Sequence, residues 1–119
     1  MTRLTATEKQ LEDTLMELFD YYGHTVKTEA GSAHSGALLP PGFPDFIAML
    51  PIPGSPWALV CLAETKTPTG KLSAKQVAYH ALLRSRGLSP QVVRDVRAVQ
   101  TLVAQGKALL GRIARRDLP

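Results

Sequence analysis

Glu64 and Lys66 close the apolar run Trp57-Ala58-Leu59-Val60-Cys61-Leu62-Ala63, and alternation along a strand sends both side chains to the face shared with Val60 and Leu62. A carboxylate and an amine thus emerge together from a strand that is apolar on both faces. Burying such charges incurs desolvation, so they persist when paired or bound to a metal. The plainer reading is an ion pair between the two at the sheet rim. Asp45 bears on that choice. It follows Pro44 and opens the earlier segment Phe46-Ile47-Ala48-Met49-Leu50, and the connector Pro51-Ile52-Pro53-Gly54-Ser55-Pro56 is rich in turn residues. A hairpin through that connector lays the two strands side by side and brings Asp45 and Glu64 to one edge. Together they would offer hard oxygen ligands of the kind Mg²⁺ prefers. Asp45 also suits the ordinary role of a strand-start residue after proline.

Further candidates lie on helices. Ser73-Ala74-Lys75-Gln76 satisfies the Ser-x-x-Gln capping box, which accounts for Gln76 without any chemistry. Glu12 stands at helical spacing from Leu15 and Phe19, so it borders the apolar stripe of its helix, whereas Glu8 reads as a solvated-face residue. His24, His34 and His80 lack zinc-ligand spacing, which argues against a histidine metal site or a Cys–His nucleophile; His80 flanks the stripe of its helix. Cys61, the only cysteine, sits in an apolar run as a small buried hydrophobe.

The elements that must position these residues follow from periodicity. Leu11, Leu15, Leu18, Phe19 and Tyr22 predict a first helix over 7–22, with Thr5 or Thr7 as N-cap and Gly23 as stop. His24-Thr25-Val26-Lys27-Thr28 could form an edge strand. Residues 30–43, rich in Gly, Ser, Ala and Pro, read as a mobile surface loop. Strands are expected at 46–50 and 57–66, the second in the middle of a sheet. Ala74, Val77, Ala78, Ala81 and Leu82 trace the stripe of a second helix over 73–86. Gln91 to Val96 reads as a strand, followed by a final helix weakened by Gly106 and a basic tail at 111–119. The order α-β-β-β-α-β-α predicts an α/β domain, a small mixed sheet flanked by helices.

Gly42-Phe43-Pro44-Asp45, Glu64-Thr65-Lys66 and Leu72-Ser73-Ala74-Lys75-Gln76 together resemble the PD-(D/E)xK nucleases, and most closely a stand-alone VRR-NUC domain. That branch shows Gly-x-Pro-Asp, a Glu-x-Lys on the next strand and a helix with an early glutamine; the resemblance spans roughly residues 12–96. It implies a restriction-endonuclease-like core and metal-assisted hydrolysis of phosphodiester bonds. Asp45 and Glu64 would bind Mg²⁺, or Mn²⁺ in its place, with the main-chain carbonyl of Thr65 as a further ligand. Lys66 would orient the attacking water or stabilise the developing charge. Gln76, and Glu12 on the first helix, would stand beside the metal.

Composition sets the bounds. A chain of 119 residues with 45% hydrophobic content can close one core, and it is read as a single domain. A net charge of +4 and a pI near 9.5 favour polyanionic partners. Lys27, Lys71, Lys75, Arg84, Arg86, Arg94, Arg112, Arg115 and Arg116 could hold a phosphate backbone. With no signal-peptide core and no apolar stretch of the ~18 residues that cross a membrane, the expectation is a soluble cytoplasmic protein. A domain this small offers little surface for base readout, so the expected substrate is branched or flapped DNA, bound by a homodimer. The competing reading is a non-catalytic nucleic-acid-binding or interaction module with the same fold.

Overall fold

In the computed structural model, which describes residues 2–28 and 39–114, the chain runs α1 (Thr2–Tyr22), β1 (His24–Lys27), β2 (Phe46–Pro51), β3 (Ala58–Thr65), α2 (Ala74–Ser85), β4 (Gln91–Val93) and α3 (Val96–Ala114). The four strands form one mixed sheet in the order β1-β2-β3-β4. β1 and β2 are antiparallel, as are β2 and β3, while β3 and β4 are parallel. A parallel neighbour requires a crossover, and α2 supplies it. The protein is thus a small mixed α/β domain.

Period-two alternation decides which face is core. Phe46 and Ala48 of β2, Ala63 of β3 and Val93 of β4 turn to one side, where Leu15 and Phe19 of α1 and Val99 and Val103 of α3 meet them. The Phe19 and Phe46 rings pack edge to face with centroids 5.8 Å apart. Each large apolar side chain removed from water here contributes about 1.5–3 kcal/mol. The opposite parity carries Val60, Leu62 and Glu64 to the other face, which α2 covers only near Glu64. Because β4 pairs only with Ala63, Glu64 and Thr65, β3 is flanked on both sides only at its end, and Val60 remains 59% exposed instead of buried.

Several boundaries differ from the sequence expectation for local reasons. α1 begins at Thr2, so neither Thr5 nor Thr7 caps it. β4 ends at Val93 because Asp95 caps α3, its Oδ1 accepting from the Ala98 amide at 2.8 Å. α3 runs unbroken through Gly106, where an added Cβ would lie 2.5 Å from Leu50 Cδ1, so the glycine lets helix and sheet approach closely. Of the expected tail, 111–114 is the last turn of α3, and 115–119 lie outside the described residues. Of the expected loop, 30–38, including His34, likewise lie outside them. Among the described residues no helix is long and apolar enough to cross a membrane.

The stripe expected to bury α2 faces water. Val77 and Leu82 are 53% and 43% exposed, whereas His80 and Leu83 are the buried residues of the helix. Gln76, Tyr79, His80 and Leu83 repeat the i, i+3, i+4, i+7 spacing of the apolar set. The buried face was disguised by its polar members. Val77→Lys is accordingly expected to change the unfolding free energy by no more than about 0.5 kcal/mol, as at any open surface position. Urea denaturation checks this, and a loss above about 2 kcal/mol would return Val77 to the core.

Candidate active site

Phe46 pairs with Ala63, so one further step along the antiparallel register sets Asp45 opposite Glu64 at the sheet edge. Backbone bonds hold the entry to β2 in that register. The Thr28 amide donates to the Asp45 carbonyl at 3.0 Å, and the Thr28 hydroxyl donates to the Pro44 carbonyl at 2.6 Å. Asp45 Oδ2 accepts from the Thr65 amide at 2.8 Å, which ties the carboxylate to β3. The hairpin therefore brings the two acids together, within hydrogen-bonding reach of each other.

Glu64 has no exposed surface. Gln76 Nε2 donates to its Oε2 at 3.1 Å, and His80 Nε2 lies 3.1 Å from its Oε1. Burial pushes the Glu64 carboxyl up to about 9, helped by its hydrogen bond with Asp45 and by the Asp45 charge; Lys66 pulls it back in part. The same Gln76 side chain also closes the capping box: its Oε1 accepts from the Ser73 amide at 2.8 Å, and the Ser73 hydroxyl accepts from the Gln76 amide at 3.2 Å. The capping box expected from the sequence is therefore present, and the same side chain also reaches Glu64.

The rim ion pair between Glu64 and Lys66 does not form. The salt-bridge partner of Lys66 is Glu8, with Nζ 3.9 Å from Oε1, which turns Glu8 towards the site. One turn along α1, Glu12 Oε1 lies 3.4 Å from Lys27 Nζ, which also reaches Asp13 at 3.4 Å. Burial raises the Glu12 carboxyl above its usual range and the nearby Asp45 charge adds to this, while Lys27 opposes it. A polar cleft of about 260 Å³ opens here, lined by Glu12, Lys27, Phe43, Asp45 and Gln76 among others.

Two further features bear on the chemistry. Arg94 Nη1 donates to the carbonyls of Thr67 at 2.7 Å and Gly70 at 2.6 Å and so clamps the loop after β3. The larger hollow, about 430 Å³ between the sheet and α3, is mostly apolar, and Cys61 on its wall has a thiol pushed up to about 11 by burial. A thiol held protonated is a poor nucleophile. His80 is the residue that sequence reasoning passed over. Its signal was the i+4 spacing from Gln76, which puts both on one face of α2.

Among the described residues no three His, Cys, Asp or Glu side chains gather into a closed metal cage. The donor set at Asp45 and Glu64 nevertheless suits Mg²⁺, which typically takes one or two carboxylates and keeps several waters. Burial and the neighbouring Asp45 disfavour ionisation of Glu64, and a divalent cation between the two acids would offset that repulsion. Each Glu64 oxygen, engaged by one donor, has a second acceptor site for a cation. No protein-family model matches the chain, and no curated protein matches it in sequence.

Proposed function

We propose that this protein is a metal-dependent nuclease of the PD-(D/E)xK type, most like a stand-alone VRR-NUC domain, that hydrolyses phosphodiester bonds in DNA. The observation that carries the reading is the meeting of Asp45 and Glu64 across the β2–β3 register, with Lys66 next on the same face of the strand. The element order and the mixed sheet accord with a restriction-endonuclease-like core.

Asp45 and Glu64 would hold Mg²⁺, or Mn²⁺ in its place, together with the Thr65 carbonyl. Bound there, the ion would lower the pKa of a water and draw charge from a phosphate oxygen. The chain supplies the rest. Lys66 places an ammonium beside the two carboxylates, where it orients a nucleophile or offsets charge developing on phosphorus-bound oxygen. Gln76 fixes the Glu64 carboxylate, and Glu12 adds negative potential from across the cleft. Exposed Lys71 and Lys75, before and at the start of α2, provide cations for the phosphate backbone. The small surface favours branched or flapped DNA over a base sequence, with two copies engaging the two arms of a junction.

The deciding experiment incubates the purified chain with branched and linear DNA in Mg²⁺, Mn²⁺ or EDTA. Expected is cleavage with either metal, none in EDTA, and loss of cleavage in Asp45→Ala and Lys66→Ala. DNA binding without metal-dependent turnover, unchanged when Asp45 is replaced, would instead establish a non-catalytic binding module.

A further inference from the structure

Glu64 is gripped at both oxygens from a single helix, by Gln76 Nε2 at Oε2 and, one turn on, by His80 Nε2 at Oε1, each at 3.1 Å. His80 has no exposed surface, and its Nδ1 has no hydrogen-bond partner among the described residues. A neutral imidazole carries a single N–H. Placed on Nε2, that hydrogen reaches Glu64 and leaves a bare lone pair at Nδ1. Placed on Nδ1, it would be a buried N–H with no acceptor, the rarer and costlier arrangement. A ring that merely filled space on an apolar helix face would be replaceable by leucine. His80 instead stands where a helix otherwise buries Leu83, and it aims a nitrogen at the one carboxylate of the site that water does not reach.

We propose that His80 is a positioning residue whose Nε2–H, acting with the Gln76 amide, fixes the orientation of the Glu64 carboxylate as a metal ligand. The inference rests on the reading of Asp45 and Glu64 as a metal site. Two donors from adjacent turns of one rigid element allow the carboxylate neither to rotate nor to withdraw, so the remaining lone pair on each oxygen is available at a constant angle. The clamp also explains why α2, with so little apolar burial, lies against the sheet at this point.

The test compares the full chain with His80→Leu, which keeps volume and removes the donor, and His80→Gln, which returns an amide N–H at similar reach. Mn²⁺ affinity is read by calorimetry, with circular dichroism confirming the fold. The expected result is Mn²⁺ binding weakened about 10- to 100-fold in His80→Leu, the usual effect of losing a ligand's hydrogen-bond partner, and recovery to within about threefold in His80→Gln. Nitrogen-15 shifts of the imidazole, recorded in EDTA, are expected to report the Nε2–H tautomer. Equal Mn²⁺ affinity in parent and His80→Leu would overturn the proposal, as would His80→Gln binding as weakly as His80→Leu, or an Nδ1–H tautomer in the parent. Failure of the parent itself to bind Mn²⁺ would remove the metal reading and the proposal together. That outcome is distinct from failure of His80 alone, in which parent and variants bind alike. Should His80→Leu not fold, His80→Gln and the tautomer decide.

Discussion

Glu64→Gln is expected to lower metal-dependent cleavage by about a thousandfold or more, the several kcal/mol that a metal contributes to such a transition state, while stabilising the metal-free protein. The two effects share one cause. Glu64 is buried beside Asp45, and its carboxyl is held well above the range it has in an unfolded chain. Below about pH 4.5 the acid is protonated in both states and costs the fold nothing. As pH rises from there towards about 9, the unfolded chain releases a proton that the folded chain retains, so stability falls across that window. Glutamine has no proton to release. Its amide can donate to Asp45 and, with His80 in its other tautomer, to the imidazole, while its oxygen accepts from Gln76. In EDTA at pH 8 the variant is expected to be more stable by roughly 1–3 kcal/mol, less than the full linkage because the tautomer change leaves a buried N–H without a partner. Urea denaturation of both proteins from pH 5 to 9 checks this. Parallel pH profiles would show that Glu64 carries no such strain.

Gly42→Ala is expected to destabilise the fold beside the two acids. Gly42 has φ 90°, and a Cβ there would lie 2.3 Å from the Lys75 carbonyl oxygen and 3.1 Å from Tyr79 Cβ. The positive φ alone costs about 1–2 kcal/mol for a residue with a side chain. The clash is with backbone, which cannot rotate away, and a total near 3 kcal/mol follows once the displaced contact with α2 is added. Gly54→Ala is the control. That glycine has φ 75° with nothing within 4 Å of the added Cβ, so only the conformational cost applies. Gly42→Ala should also weaken Mn²⁺ binding, because Phe43, Pro44 and Asp45 follow directly from the turn that α2 braces. Equal losses of stability in the two variants would show that the Lys75 contact gives way.

What the sequence made legible was local. The turn-rich connector after Leu50 and the parity of Glu64 and Lys66 were enough to anticipate that Asp45 would face Glu64 across a hairpin, and the Ser73–Gln76 box marked the start of α2 within one residue. What it hid depended on partners distant in the chain. Lys66 pairs with Glu8 because α1 crosses the end of β3, which no spacing within either element reveals. Arg94 spends its Nη1 on two loop carbonyls distant in the chain. On α2 the apolar pattern pointed to the wrong face, since the half-buried Gln76 and the buried His80 turn inward to hydrogen-bond with Glu64, a preference that hydrophobicity does not register.

That polar docking has a consequence for motion. The core between the sheet and helices α1 and α3 is built from many apolar side chains, whereas α2 contributes only Leu83 and His80 as buried residues. Elements with few apolar anchors open first and independently of the rest. When α2 lifts, Glu64 loses both of its donors while the register that pairs it with Asp45 survives. If the two acids hold a cation as proposed, closing of the helix and its capture would form one linked equilibrium, and the ion would be felt as slowed amide exchange along α2.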